Sequence, residues 1–195
     1  MSLKKLFVGF LAITLAGCTP PVDNPQNDTS NTPVIEIDWE DCGGVVGDHP
    51  CDFTFNDQDD TPWRLYDNIG KVILLDFSAE WCGWCQVSAA EIQRIQDYFD
   101  PTMEEFVWVT LIVEDSSGAA PGLEVIKEWV DSFGIQSPPV LQADRSIIDA
   151  TGEDGYPVTS WPMFIIVNED MIIENGLRGW SEEIITQMIA DTLTN

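Results

Sequence analysis

The sequence predicts a single α/β domain built on a central mixed β-sheet that is flanked by helices. Two nearly unbroken apolar runs, residues 71–78 and 106–113, have the composition of strands that are buried on both faces. Each run is followed by a segment whose apolar residues recur with helical spacing. The 195 residues, 44% of them hydrophobic, suffice for one hydrophobic core and a targeting segment.

The N-terminal run MSLKKLFVGFLAITLAGC has the features of a secretion signal. Its apolar stretch, residues 6–16, is shorter than the ~20 residues that a membrane-spanning helix needs. The ending LAGC resembles the bacterial lipobox, which implies a lipoprotein signal peptide over residues 1–17, cleavage before Cys18 and lipid attachment to Cys18. An ordinary signal peptide that leaves Cys18 free is the alternative.

Residues 18–38 are predicted to be a flexible linker, because prolines among Asn, Asp, Thr and Ser leave almost nothing to bury. The folded domain then covers residues 39–195. The formal net charge of −26 excludes nucleic acid as a partner, since binding to phosphates needs clustered cations. The acidity itself indicates a solvated surface rather than a specific cation site.

A short hairpin is predicted before the first long strand. Residues 53–55 and 63–65 flank the turn-rich run NDQDDTP. After the strand at residues 71–78, helical spacing runs from residue 83 to about residue 99 and places Cys85 on the buried stripe. The sequence therefore predicts one helix that begins directly after Cys82 and ends before Asp100-Pro101.

The segment after the strand at residues 106–113 contains a predicted helix at residues 123–133. Residues 135–160 are interrupted by prolines and contain one short predicted helix near residues 146–151.

The C-terminal part is predicted to form a hairpin and a last helix. The hairpin joins MFIIV, residues 163–167, to MIIE, residues 171–174. Ser181 is the predicted N-cap of the helix. Its inward-facing residues are predicted to be Ile184, Ile185, Met188, Ile189 and Leu193.

Apart from Cys18, four cysteines form an even set in the oxidising compartment that a secretion signal implies. The spacing of Cys82 and Cys85 at the start of a helix favours their mutual pairing, which leaves Cys42 to pair with Cys51. The Cys42–Cys51 disulfide is interpreted as a structural staple of a turn-rich loop, and a second redox couple is the alternative.

The Cys82–Cys85 pair has the arrangement needed for disulfide exchange. A cysteine in the first turn of a helix lies near free backbone N–H groups, which favour the thiolate over the thiol. Cys82 is therefore the predicted nucleophile, open to solvent. Cys85, one turn later and facing the core, is placed to resolve a mixed disulfide that forms on Cys82.

The run KVILLDFSAEWCGWC resembles the strand, loop and helix start of thioredoxin-superfamily proteins. A second match lies downstream, where Pro162 in SWPMFIIV corresponds to the superfamily's cis-proline facing the cysteines. The resemblance implies a thioredoxin-like fold with an N-terminal hairpin extension and an insertion before the cis-proline strand. Both additions resemble the envelope-anchored (TlpA-like) reductase branch.

The resemblance also implies a buried acid, which is Asp76 in this sequence. Burial would raise the pKa of Asp76 and let it accept the Cys85 proton. The alternative is that Asp76 is a structural acid whose hydrogen bonds are satisfied.

The sequence also departs from the superfamily pattern. Gly83 and Trp84 replace the usual proline between the cysteines, and Trp161 replaces a small or branched residue before the cis-proline. We expect Trp81, Gly83, Trp84 and Trp161 to surround Cys82 as an apolar rim that docks extended peptide. The other tryptophans are expected in the core or at the edges of the fold.

These observations predict a thiol–disulfide oxidoreductase of the cell envelope that acts on protein thiols and disulfides, as a reductase, without a cofactor. A disulfide oxidase or isomerase is the alternative, because the dipeptide between the cysteines controls the redox potential. A peroxidase of the peroxiredoxin type is disfavoured because Ala79 stands where its threonine would be, and a non-enzymatic binding module because both motifs are intact. No metal is expected, since His49, in a predicted surface loop, is the one histidine.

Two further partners are expected. One is an electron donor or acceptor that the sequence does not identify. The other is the membrane, through the lipid on Cys18, facing the periplasm. Thr19 is not the aspartate that retains lipoproteins in the inner membrane of diderm bacteria, which favours the outer membrane.

Overall fold

The computed structural model describes residue 37 and residues 39–194. The signal peptide, Cys18 and nearly all of the predicted linker therefore lie outside the described residues. The strands are β1 (Thr54–Asn56), β2 (Pro62–Arg64), β3 (Val72–Ala79), β4 (Phe106–Glu114), β5 (Val140–Gln142), β6 (Met163–Val167) and β7 (Ile173–Arg178). The α-helices are α1 (Gly83–Ala89), α2 (Ile92–Phe99), α3 (Leu123–Phe133) and α4 (Glu182–Thr192), with 3₁₀ turns at Leu65–Asn68 and Arg145–Ile147.

The central sheet has five strands in the order β5-β4-β3-β6-β7, and β1 pairs with β2 in a separate hairpin. β3 is parallel to β4 and antiparallel to β6, and every residue of β3 and β4 is buried. Burial on both faces explains why these strands read as unbroken apolar runs. The structure confirms the predicted mixed α/β architecture and the N-terminal hairpin.

Alternate side chains of β3 enter two hydrophobic clusters on opposite faces of the sheet. Val72 and Leu74 pack in the cluster that also holds Cys85, whereas Ile73 and Leu75 pack in the other. Asp76 follows Leu74 by two residues, so its side chain is on the same face of the sheet as the cysteine pair.

The helix expected over residues 83–99 is two helices, so this prediction is wrong. Ser88 Oγ donates to Cys85 O at 2.9 Å, and Glu91 N–H donates to Ser88 O at 3.0 Å, an i to i−3 bond that tightens the chain. A serine hydroxyl that bonds back to the helix backbone in this way bends helices. α1 therefore stops at Ala89, and the buried stripe continues on α2.

The segment 135–160 differs most from the prediction. β5 was not predicted, because three residues after two prolines carry almost no periodicity. The helix expected near residues 146–151 is wrong: the 3₁₀ turn ends at Ile147 and a turn organised by Asp149 follows. Its carboxylate accepts hydrogen bonds from the backbone N–H groups of Thr151 (3.0 Å), Glu153 (3.1 Å) and Asp154 (3.1 Å). Side chain to backbone bonds of this kind compete with helix formation.

The C-terminal hairpin and helix are present with shifted details. Asn168 Oδ1 accepts from the N–H groups of Asp170 and Ile172, so β7 begins only at Ile173. Ser181 caps α4, as expected, by accepting from Ile184 N–H at 3.5 Å. The side chain of Ile184 is exposed, contrary to expectation, because the buried stripe follows Ile185, Met188, Ile189 and Thr192.

The N-terminal loop packs on the insertion before β6. Gly44 N–H donates to Gly152 O at 2.9 Å, and a Cβ on Gly44 would meet Gly155 O at 2.2 Å, so only glycine fits there. His49 is half-buried rather than on the surface, because its ring stacks on Trp39 with centroids 3.9 Å apart. Among the described residues, none of the helices is long and apolar enough to cross a membrane.

Candidate redox site

The cysteine pair lies where the central strand gives way to the first helix. β3 ends at Ala79, and Cys82 is the N-cap of α1. A disulfide joins Cys82 to Cys85, with Cα atoms 5.2 Å apart. Cys82 Sγ also accepts a hydrogen bond from Cys85 N–H at 3.2 Å. A backbone N–H directed at this sulfur stabilises negative charge on it.

The two sulfurs differ in their access to solvent. Cys85 is fully buried, and Cys82 is 6% exposed, which is less than the open position expected from the sequence. Cys82 nevertheless lines an open pocket, whereas Cys85 packs in the core beneath the sheet. Of these two sulfurs, an incoming thiol or disulfide can therefore reach only that of Cys82.

The pocket beside Cys82 has a volume of about 650 Å³ and mostly apolar walls. The structure brings Trp81, Gly83, Trp84 and Trp161 together there, and Trp81 and Trp84 are more than half exposed. Val87 and Ser160 complete the lining. Pro162 is buried behind this surface at the start of β6, and the Trp161–Pro162 peptide bond is cis, as expected.

The loop between β3 and α1 is tied to the end of β4. Glu80 N–H donates to Glu114 O at 2.9 Å, and Ser116 N–H donates to the Glu80 carboxylate at 2.7 Å. The indole N–H of Trp81 donates to Glu114 Oε2 at 3.1 Å. These bonds fix the approach of the chain to Cys82.

Asp76 is 1% exposed and lies among three hydrogen-bond donors. Ser78 Oγ donates to Oδ1 at 2.7 Å, and Trp108 Nε1 and Thr110 Oγ1 each lie 3.4 Å from Oδ2. Burial raises the pKa of Asp76 to about 7, although these three donors act to lower it. The carboxyl group can therefore gain or lose a proton near neutral pH.

The other two cysteines lie apart from this pocket. A disulfide joins Cys42 to Cys51, with Cα atoms 4.8 Å apart, in the N-terminal loop. Cys42 is exposed beside a second pocket that has acidic walls. The acidic lining residues are Glu40, Asp41, Asp48, Glu153 and Asp154. Across residues 39–194, no cluster of three or more His, Cys, Asp and Glu side chains is arranged to hold a metal ion.

Sequence reasoning missed several residues of the site. Ser78 and Thr110 are polar residues within apolar strands, a signal that could have identified them as partners of a buried acid. Glu114 directly follows the apolar run at residues 106–113, which is also a readable signal. Val87 and Ser160 carry no such signal, because only the folded chain brings them to the pocket.

Comparison with known proteins places this geometry in a family. The AhpC/TSA family matches residues 46–175, which is more than half of the chain. Thioredoxin-like protein YneN of Bacillus subtilis is 25% identical over 174 residues, which are 89% of each chain.

Solved structures share the fold. A putative protein disulfide isomerase from Bacteroides thetaiotaomicron has 20% identity and a TM-score of 0.62, over 80% of this chain and 96% of that one. A putative thiol:disulfide interchange protein DsbE from Chlorobium tepidum has 21% identity and a TM-score of 0.60, over 77% and 99%. The exposed lipoprotein thioredoxin Etrx1 of Streptococcus pneumoniae has 24% identity and a TM-score of 0.57, over 74% and 98%. Together with the match to residues 46–175 and the paired cysteines at the start of α1, these likenesses lead to one conclusion: the chain belongs to the AhpC/TSA family and is a thioredoxin-like thiol–disulfide oxidoreductase.

Proposed function

We propose that this protein reduces disulfides of other proteins in the cell envelope, with Cys82 as the attacking residue and Cys85 as the resolving residue. The observation that carries the proposal is the position of the Cys82–Cys85 disulfide at the start of α1, where Cys82 lines the pocket and Cys85 does not. That placement separates the sulfur that meets the substrate from the sulfur that ends the reaction.

The reaction has two exchange steps. In the reduced protein, the Cys82 thiolate attacks a substrate disulfide, forms a mixed disulfide and releases one substrate thiolate, which takes up a proton. Cys85 then loses its proton and attacks Cys82 Sγ, which closes the Cys82–Cys85 disulfide and releases the second substrate thiol. Two electrons pass to the substrate, so a dithiol donor must reduce the protein again.

Asp76 is proposed as the group that accepts the Cys85 proton. It shares a face of β3 with Leu74, which packs in the same cluster as Cys85. A carboxyl group whose pKa is raised to about 7 by burial is well matched to proton transfer at neutral pH.

The apolar rim of the pocket is the proposed docking surface for substrate. Trp81 and Trp84 offer large exposed rings beside Cys82. Between the cysteines, a Cβ added to Gly83 would meet no atom within 4 Å apart from its chain neighbours and its own helix backbone, so no other part of the fold covers this position. Trp161, two residues before the start of β6, lines the same pocket. An extended peptide that carries apolar residues beside its cysteine fits this surface.

The reduction potential tests the direction of electron flow. We expect equilibration of residues 39–195 with glutathione or dithiothreitol buffers to give a potential near about −270 mV, the value typical of thioredoxin. The fraction of oxidised protein can be measured by thiol alkylation and mass. A potential near about −120 mV, as in strong oxidants, would instead identify a disulfide oxidase.

The Cys42–Cys51 disulfide is proposed to be structural. It closes the loop whose Gly44 contacts the insertion before β6. The carboxylates around the neighbouring pocket disfavour a thiolate on Cys42, which argues against a second redox couple.

The location rests on the N-terminal sequence. We propose that residues 1–17 are removed, that Cys18 carries lipid, and that residues 18–38 link the domain to the periplasmic face of the outer membrane. The likeness to an exposed lipoprotein thioredoxin of Streptococcus pneumoniae supports a lipid anchor, and the outer membrane is proposed from Thr19 alone.

Replacing the proposed lipid attachment site should detach the protein without changing its chemistry. We expect Cys18→Ala to move the protein from the membrane to the soluble fraction with its activity unchanged, because the residues that line the redox pocket in the described part of the chain all belong to the folded domain. Fractionation of cells, followed by an exchange assay on each fraction, measures both properties. Persistent membrane association of Cys18→Ala would place the anchor elsewhere in the chain.

A further inference from the structure

Glu114 is a nearly buried carboxylate at the end of β4 that the exchange reaction does not use. Its side chain is 6% exposed, and its two oxygens have different partners. Oε2 accepts the indole N–H of Trp81 at 3.1 Å, and Oε1 accepts from the guanidinium of Arg145. Because each oxygen is engaged, the carboxylate is held in one orientation.

The two partners of Glu114 come from different parts of the chain. Trp81 lines the pocket next to Cys82, whereas Arg145 belongs to the 3₁₀ turn in the insertion before β6. The backbone beneath Trp81 is fixed as well, since Glu80 N–H donates to Glu114 O. Glu114 thus joins the insertion to the rim of the redox pocket.

Trp81 needs such a contact because more than half of its surface is exposed. An exposed indole on a loop can adopt several rotamers, and each ordered side chain costs entropy when a substrate fixes it. A hydrogen bond from a buried, charged acceptor orders the ring before the substrate arrives.

We propose that Glu114, held by Arg145, is a positioning residue that sets the Trp81 ring in place for docking of polypeptide substrates. The inference rests on the proposed function of the pocket. It assigns the insertion a role at the redox site, because Arg145 neutralises the carboxylate that Trp81 needs. Without Arg145, the buried carboxylate would turn toward water and release the indole.

Steady-state reduction of insulin, with dithiothreitol as electron donor, separates docking from chemistry. We expect Glu114→Leu to raise KM for insulin about fivefold, the factor that corresponds to one lost net hydrogen bond, with kcat unchanged. Reduction of hydroxyethyl disulfide, which needs no rim, should proceed at the unchanged rate. Glu114→Gln keeps an oxygen acceptor for Trp81 and should restore KM.

Four further variants protect the test against misfolding and surface effects. Trp81→Phe keeps a ring at an exposed site but lacks the N–H, so it should reproduce the rise in KM, and combining it with Glu114→Leu should add nothing further. Arg145→Ala should raise KM as well. Arg94→Ala, which removes a surface arginine paired with Glu91 and Glu182, is the matched control and should leave KM unchanged.

The indole N–H resonance of Trp81 gives a readout that does not depend on activity. In NMR spectra of protein labelled with the heavy nitrogen isotope, this resonance is identified by its absence from the spectrum of Trp81→Phe. We expect it to shift in Glu114→Leu and Arg145→Ala and to stay in place in Arg94→Ala. An unmoved resonance in Glu114→Leu, or a wild-type insulin KM in Trp81→Phe, would overturn the inference. Undiminished exchange by Cys82→Ser would instead refute the proposed function.

Discussion

Cys82→Ser is expected to abolish disulfide exchange, whereas Cys85→Ser is expected to accumulate stable mixed disulfides with its substrates. The difference follows from access: Cys82 lines the pocket, and Cys85 is fully buried beneath it. Without Cys82 no sulfur can meet the substrate. Without Cys85 the first exchange still occurs, but no internal thiol releases the product.

Non-reducing electrophoresis after incubation of each reduced variant with a disulfide-bonded protein measures the trapped species. The double variant Cys42→Ser/Cys51→Ser is the matched control, because it removes the disulfide of the N-terminal loop and leaves the pocket intact. That control should exchange disulfides like the wild type. Trapping by Cys82→Ser rather than by Cys85→Ser would reverse the assignment of the two roles.

The central strands could be predicted because their burial is recorded in their composition. β3 and β4 are covered on both faces, so nearly every position must be apolar. β5 could not be predicted in this way, since a three-residue edge strand gains its hydrogen bonds from β4 rather than from its own pattern. Its register with Thr110 is a property of the assembled sheet.

The break between α1 and α2 shows a different limit. Apolar spacing continues from Cys85 through Ala89 to Ile92 and Ile95, so the buried stripe gives no sign of an interruption. At the interruption the Ser88 hydroxyl bonds to Cys85 O, and Glu91 N–H bonds to Ser88 O in a tighter turn, a local arrangement that apolar spacing does not report. Periodicity reports which side of a helix is buried and not whether its axis is continuous.

The candidate site was predictable to the extent that its residues are close in sequence or match a distant motif. Trp81, Cys82, Trp84 and Cys85 lie in one short run, and Trp161 was joined to them only through the resemblance at Pro162. The hydrogen-bond partners of Asp76 and the carboxylate that holds Trp81 come from β4. Such partners depend on the parallel register of β3 and β4, which the sequence does not state.

Asp76→Asn is expected to raise the stability of the fold near neutral pH and to slow disulfide exchange. Burial raises the pKa of Asp76 to about 7 in the folded state, from an ordinary value of 3.8. Below pH 3.8, the Asp76 carboxyl is neutral in both the folded and the unfolded state, so its ionisation does not affect the free energy of unfolding. Between these two pKa values, the Asp76 carboxyl is ionised in the unfolded chain but not in the folded one. The free energy of unfolding of the wild type therefore falls as the pH rises, by about 4 kcal/mol in total. Asparagine does not titrate, so the variant lacks this loss.

Denaturant unfolding of the oxidised proteins from about pH 4 to about pH 8 measures this linkage, because the cysteines do not titrate while they are paired. The stability of Asp76→Asn relative to wild type should rise across this range and level off above pH 7 or so. Asp100→Asn is a matched control, because it replaces a buried aspartate whose pKa is shifted in the other direction. Burial raises the pKa of Asp100, but hydrogen bonds from Thr102, Glu105 and Phe106 outweigh it and lower the pKa overall, below the ordinary value of 3.8. Asp100 is therefore ionised in both the folded and the unfolded state over nearly all of this range, so the stability of Asp100→Asn relative to wild type should be lower and should stay nearly constant as the pH rises.

The same variant, Asp76→Asn, should exchange disulfides more slowly than the wild type. If Asp76 accepts the Cys85 proton, then Asp76→Asn should slow the closing of the Cys82–Cys85 disulfide by about 100-fold, within the range for loss of a general base. The rate of that step should also lose its inflection near the raised pKa of about 7. Rapid mixing of the reduced variant with a disulfide substrate, followed by acid quenching, gives the lifetime of the mixed disulfide at each pH. A wild-type lifetime with an unchanged inflection would show that another base, or water, takes the proton, and that Asp76 has only a structural role between Ser78 and Thr110.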